Sequence, residues 1–391
     1  MSSDRRQTFC HNETVSNIMH STKLKRLIAV VSSFAMMAAL SACGDNTPAD
    51  SSSASKGKNS GISGEFHGAG ASSQQGAVEA WIATYQNHNR NAKIAYNPSG
   101  SGAGVSTFLT GATAWAGTDA PLNDQQIEQS KAICKSGSAF DVPVYVSPIA
   151  VMFNLKGVSG QGKHLNMDAA VIARIFDGKI TQWNDEAIKA ENPKVNLPAT
   201  PITVVHRSDK SGTTNNFTSY LKAAAPNDWG FQPQENWPNE VGQAAKGTDG
   251  VVSSIGQADG TIGYADLAKA GTFGTVSVKV GADYVAPAAD AAAKTVNASP
   301  LHAVPKGSKR VVVNVDYATT VAGDYPIVSS SYAVACPAYK DAKTGAFVRD
   351  WLSYVLSDSG QKVAADNTGS AALGGALTQK ALKSVSAIQA K

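Results

Sequence analysis

Apolar positions recur along the chain with two periods, and the order in which they alternate sets the architecture. Glu65 to Ala69 reads as an extended segment that runs into glycines. Behind it Val78, Trp81, Ile82 and Tyr85 stand at i, i+3, i+4 and i+7, the buried face of one helix. Ile94 to Tyr96 predicts a second strand, broken by Pro98-Ser99-Gly100-Ser101-Gly102-Ala103-Gly104, and a helix carrying Val105, Phe108 and Leu109 follows. Ala114 to Thr118 predicts a third strand, ending in Asp119-Ala120-Pro121-Leu122. Strand, helix, strand, helix, strand is the grammar of a parallel α/β sheet.

The pattern then repeats at larger scale. Val142 to Leu155 is long, β-rich and apolar, and predicts a strand crossing between two lobes. Helices are expected around 168–176 and 184–190, then a strand at Ile202 to Val205. The loop Arg207 to Gly212 feeds a helix carrying Phe217, Tyr220, Leu221 and Ala224. Ile327 to Ala335 is a second long β-rich run, and a helix over 345–357 (Phe347, Val348, Trp351, Leu352, Val355) closes the fold. Two crossing strands imply a chain that leaves one lobe, builds another and returns. The expected division is 64–150 with 323–391 as the first lobe and 151–322 as the second.

The first 42 residues interrupt this logic. Lys23, Lys25 and Arg26 form a basic region, and Leu27 to Leu40 an apolar stretch too short to span a bilayer comfortably, which takes about 20 residues. Leu40-Ser41-Ala42-Cys43 then sets small residues directly before a cysteine, as a lipoprotein signal requires, so residues 1–42 read as an export signal and Cys43 as the lipid-bearing residue. A cleaved secretory signal with an incidental Cys43 is the other reading. Residues 1–18 are polar and carry both charges, so Met19 is the more regular start. Residues 43–63 are Ser, Gly, Asn and Lys with almost nothing apolar, a tether between lipid and domain.

Charge changes the picture once that segment is set aside. The chain carries +4 overall, yet beyond residue 42 there are 29 Lys and Arg against 28 Asp and Glu. The basic excess therefore belongs to the signal, and nucleic acid, which wants a concentrated basic face, is not an expected partner. Of the four cysteines, Cys10 precedes Met19, and Cys134 and Cys336 remain in the exported part, where leftover thiols often pair. Sequence leaves their pairing open.

Three segments share one design, a strand end followed by Gly, Ser or Thr and then a helix: Gly68 to Ser73, Ser99 to Gly104, and Ser208 to Thr214. Each would present unpaired helix N-terminal N–H groups and hydroxyls at the C-terminal edge of a sheet, where α/β folds bind ligands and where anions are favoured. Arg207 opens the third, and its planar fork suits a tetrahedral oxyanion. Enzyme patterns are missing beside it. No G-x-x-x-x-G-K-[ST] loop or G-x-S-x-G elbow occurs, and His67, His88, His164, His206 and His302 show no metal-ligand spacing. The chain reads as a binder of anions rather than an enzyme, with no cofactor and no metal expected. His206, next to Arg207, is read as packing rather than as a site residue.

GAGASS, SGSGAG, GTDAPL, IFDGKITQWNDEAI, HRSDKSGTTNNFTSYL, AAKGTDGVVSSI and IGYADL occur in an order that resembles the phosphate-binding proteins of phosphate-specific ABC transporters. The resemblance runs from about residue 65 to about residue 370. It implies a two-lobed, hinge-closing periplasmic-binding-protein-like fold of class II, each lobe a mixed sheet flanked by helices. It also implies phosphate as ligand, ABC permease subunits as partners, and a monomer. Carried over by position, the phosphate ligands would be Ser72, Ser73, Ser101, Asp119, Arg207, Ser211, Gly212 and Thr213, with Asp209 supporting Arg207. Ser72 stands for a threonine, Ser73 for an aromatic residue, Thr118 for a serine and Lys210 for a glycine of the family pattern.

One residue speaks to ligand choice without the family. Phosphate near neutral pH carries one or two protons and sulfate none. The Asp119 carboxylate can accept a hydrogen bond from a phosphate O–H, whereas against sulfate it would meet only lone pairs. A site that demands its partner's hydrogen rejects the analogue lacking it by roughly 10⁴ or more. Alternatives are a carrier of sulfate or molybdate, which Asp119 disfavours, and an adhesion or signalling lipoprotein on the same scaffold.

Overall fold

Buried, β-rich runs and amphipathic helices alternate in the computed structural model, which describes residues 61–390. The export signal, Cys43 and the tether up to residue 60 lie outside the described residues. In chain order the first elements are β1 (Gly64–Gly70), α1 (Gln75–His88), β2 (Ala92–Asn97), α2 (Ser101–Leu109), β3 (Trp115–Thr118), α3 (Asp124–Ser130) and β4 (Phe140–Asn154). There follow β5 (His164–Met167), α4 (Ala169–Phe176), α5 (Glu186–Glu191), β6 (Thr203–Arg207), α6 (Gly212–Ala224), β7 (Gln243–Ala245), α7 (Gly247–Gln257) and β8 (Thr261–Asp266). The remainder is β9 (Gly274–Val280), β10 (Asp283–Val285), α8 (Ala289–Ala298), β11 (Val328–Ala335), α9 (Ala342–Val355), α10 (Asp358–Thr368) and α11 (Gly375–Ser386).

The strands run in the order β2-β1-β3-β11-β4-β8-β6-β7, with β9, β5 and β10 off this path. β1 is parallel to β2 and β3, as the opening βαβαβ pattern predicts, and β11 lies antiparallel between β3 and β4. β4 belongs to both halves. Its first part, Phe140 to Pro148, pairs with β11, and its last part, Ile149 to Asn154, pairs with β8. Nearly every residue of β4 is buried, which is why its sequence lacks the alternation of a half-exposed strand. On the far side β8 and β6 are parallel, and β9 pairs with β4, β5 and β10. This is a mixed, two-lobed α/β fold with a strand passing between the lobes.

Aromatic side chains fill each half. Around β1 and α9, Phe66 stacks on Phe347 at 3.8 Å between ring centroids, with Trp115 and Trp351 against the same cluster. On the other side Phe217 stacks on Tyr264 at 4.4 Å, and Phe176 and Trp237 close around them. Fully burying a side chain of this kind contributes about 1.5–3 kcal/mol, so these clusters fix the lobes on which the loops between them are mounted. Cys134, just ahead of β4, and Cys336, just after β11, are joined by a disulfide with Cα atoms 5.3 Å apart. Among the described residues no helix is long and apolar enough to cross a membrane.

α2 departs from the sequence reading. The apolar pattern starts it near Val105, whereas the helix begins at Ser101, so Ser101 to Gly104 are its first turn rather than part of the turn before it.

Candidate functional site

The N-termini of α1, α2, α6 and α7 converge where the two halves face each other, and Asp119, just past the end of β3, lies among them. The first N–H groups of a helix have no intrahelical acceptor, so their convergence concentrates donors and positive potential. Asp119 is 2% exposed. Its Oδ2 accepts hydrogen bonds from the Ser73 hydroxyl at 2.5 Å and the Thr213 hydroxyl at 3.1 Å, and its Oδ1 from the Ser331 hydroxyl at 2.6 Å. These donors come from the turn into α1, from α6 and from β11. Its backbone N–H donates to Ser101 Oγ at 3.3 Å, and its carbonyl accepts from Asn216 Nδ2 at 2.9 Å. Asn216 is held in turn by the Tyr317 hydroxyl, which donates to its Oδ1 at 2.7 Å.

Arg207 ends β6 and is 3% exposed. Nε and Nη2 donate to the two oxygens of Asp209 at 2.8 and 2.5 Å, a planar two-point pair that fixes the guanidinium. Burial pushes the Asp209 carboxyl up. The hydrogen bonds and charge of Arg207, with the Gly247 N–H donating at 2.9 Å, outweigh it and hold the carboxyl below its usual range. Asp209 thus links Arg207 to the start of α7. There Thr248 donates its N–H to Ser72 Oγ at 3.0 Å, and its hydroxyl lies 3.0 Å from the same oxygen. Ser211 caps α6, its Oγ accepting the Thr214 N–H at 3.2 Å.

The eight ligands expected from sequence, with Asp209, therefore fall into adjoining groups. Ser73, Ser101 and Thr213 meet at Asp119, Ser72 and Arg207 are tied to the turn into α7, and Ser211 caps the start of α6. Gly212 packs directly on Asp119: a Cβ there would lie 2.8 Å from Ala120 N and from Asp119 Cβ. That close approach requires a residue without a side chain.

Sequence reasoning missed Ser331, Thr248, Gly247 and Asn216. Ser331 had a legible signal, since Ser329, Ser330 and Ser331 sit in a strand that is buried at every position, and buried hydroxyls need partners. The turn Ala245 to Gly250 shares the Gly/Thr chemistry of the other three and entered only as part of the resemblance. His206 stacks on Trp237 at 5.0 Å, and its Nδ1 lies 3.0 Å from its neighbour's carbonyl. Burial lowers its pKa, with smaller opposing effects from that carbonyl and from Glu240, as fits a packed neutral ring.

Two more acids lie close by. Asp266, at the end of β8, accepts from the Ser147 hydroxyl of β4 at 2.5 Å and from the Ala268 N–H at 2.9 Å. Burial pushes it up to about 6, and the charge of Asp119 adds to the rise. Glu235 is also raised, by burial first and then by Asp119, against the pull of Lys210. Among the described residues no three His, Cys, Asp or Glu side chains cluster as a metal ion would need.

A model of the PBP superfamily domain matches residues 49–359. The phosphate-binding protein PstS 2 of Mycobacterium tuberculosis is 36% identical over 326 residues, covering 81% of this chain and 86% of its own. The phosphate-binding protein PstS 3 of Mycobacterium leprae is 34% identical over 355 residues, covering 88% and 94%. Among solved structures, a high-affinity periplasmic phosphate-binding protein crystallised with phosphate superposes with a TM-score of 0.64 at 21% identity. It covers 81% of this chain and 92% of that one, a likeness of fold.

Proposed function

The chain belongs to the phosphate-binding proteins of the PBP superfamily, which bind rather than transform their ligand, and from that premise we propose that it captures inorganic phosphate between its lobes. The observation that carries this reading is the setting of Asp119, a buried carboxylate ringed by hydroxyls from β11, α6 and the turn into α1. Ser72, Ser73, Ser101, Ser211, Gly212 and Thr213 supply hydroxyl and backbone donors to the oxyanion, Arg207 offsets its charge, and Asp209 holds Arg207 in place. Asp119 accepts a hydrogen bond from the O–H that phosphate has and sulfate lacks.

In this reading the lobes are 64–150 with 323–391 and 151–322, hinged at β4. Cys43 carries the lipid, residues 43–63 tether the domain outside the cytoplasmic membrane, and a monomer hands phosphate to the permease subunits of an ABC importer. Calorimetric titration of the phosphate-stripped chain with phosphate and then sulfate tests the core of it. One-to-one binding of phosphate alone is the expected result. Heat from sulfate, or from neither ion, would mean that Ser73 and Lys210, the departures from the family pattern, have changed the ligand.

A further inference from the structure

Beside the anion ligands, two side chains of the second half close over the first turn of α2. A Cβ built on Gly102 would lie 2.5 Å from Lys210 Cβ, 3.1 Å from Lys210 Cδ and 3.3 Å from Glu235 Oε2. The contact is fixed by backbone bonds on both sides. The Gly102 N–H donates to the Lys210 carbonyl at 3.2 Å, and the Ser211 N–H donates to the Glu235 carbonyl at 3.0 Å, which ties the Glu235 segment to the Lys210 loop. Lys210 and Glu235 are therefore one unit, and it grips a helix that also carries Ser101, whose Oγ accepts the Asp119 N–H.

We propose that Lys210 and Glu235 form a cross-cleft latch on Gly102 that sets how long the loaded, closed state persists. The inference rests on the phosphate reading above. Lys210 stands where the family pattern has glycine, and a glycine there would leave the first turn of α2 uncovered. With lysine, the aliphatic stem adds apolar contact across the cleft, and the charge of its ammonium favours the Glu235 carboxylate from a distance. The latch touches none of the hydroxyls around Asp119, so it slows opening without competing for the ligand. Glu235 faces Lys210 from its own half and Asp119 from the other; burial and the Asp119 charge raise its pKa, and the Lys210 charge opposes them.

The test is the rate of phosphate release from the loaded full chain, followed by stopped flow with a fluorescent phosphate trap. Lys210→Gly is expected to speed release by about tenfold, acting on dissociation more than on association. Glu235→Ala is expected to move release the same way. Gly102→Ala, whose methyl would meet Lys210, is expected to speed release by a similar factor of about ten. In the Lys210→Gly background the same alanine should change release by less than about twofold, because the two lysine atoms it strikes hardest are gone and only the end of the Glu235 side chain remains near it. Equal effects of Gly102→Ala in both backgrounds would mean that it merely perturbs α2 and would overturn the latch, as would wild-type release in Lys210→Gly. Should the wild-type chain take up no phosphate, the ligand reading fails and hydrogen exchange decides the latch. Amides 101–105 are expected to exchange faster in Lys210→Gly than in the ligand-free wild type, and equal rates would overturn it.

Discussion

Asp119→Asn separates the roles of charge and shape at the centre of the site. The wild-type carboxylate presents two oxygens, Oδ2 accepting from Ser73 and Thr213 and Oδ1 from Ser331. Asparagine keeps the volume but leaves one acceptor oxygen and replaces the other with an NH₂ donor. A phosphate O–H then loses a charged acceptor, and a hydrogen bond to a charged group is worth about 1.5–3 kcal/mol. Phosphate affinity should fall by about 10- to 100-fold. Sulfate moves the other way, because a lone-pair clash with a buried carboxylate becomes an N–H donor. The preference for phosphate over sulfate should therefore shrink by a larger factor than phosphate binding itself weakens. Calorimetry of both ions on wild type and variant, at one salt concentration, reads each quantity. A variant that bound phosphate as wild type does and still rejected sulfate would refute the reasoning, and the discriminating group would have to be sought elsewhere.

Arg207→Ala strands Asp209 without its partner and removes a buried cation from the ligand set; phosphate binding should weaken by roughly 2–5 kcal/mol, and unchanged calorimetric affinity would place the anion away from Arg207. Asp266 carries a pH signature. Its folded-state carboxyl holds a proton up to about 6, against an ordinary 3.8. The stability it lends is full below the lower value and is lost as pH rises through the upper one. Relative to Asp266→Asn, wild type should lose roughly 2–4 kcal/mol between about pH 4 and pH 7, and a difference in urea melts that stays flat over that range would contradict it. Gly212→Ala places a methyl 2.8 Å from Asp119 Cβ. It should hold the lobes apart and weaken phosphate binding at least tenfold, while a scattering profile as compact as wild type in the presence of phosphate would argue against that packing.

Much of this arrangement was readable from residue order. The first three strands and the helices between them follow from two hydrophobic periods, and β4 announced itself as one unbroken apolar run. The second half was harder. β8 is buried at all six positions and β7 is three residues long, so neither offers an alternation to detect. The start of α2 is hidden because its first turn is glycine, serine and alanine, with no apolar residue large enough to mark a face. At the site, the helix N-termini and Arg207 could be proposed one by one. Their convergence on Asp119 depends on how the halves meet, and no local pattern encodes that. Ser331 illustrates the difference: its strand was expected, but a hydroxyl 212 residues from its acceptor can be assigned only in three dimensions.

The Cys134–Cys336 bridge spans 202 residues, and all of β5 to β10 lies inside the loop it closes. A protease that cuts once anywhere within that loop leaves two pieces still covalently joined, separable on a gel only after reduction. If the chain leaves the cytoplasm N-terminus first, the Cys134 thiol emerges long before its partner. The oxidising machinery outside must then leave that thiol open while the whole of the inserted half passes through. The bridge thus lets a segment that emerges after the inserted half seal one that emerged before it.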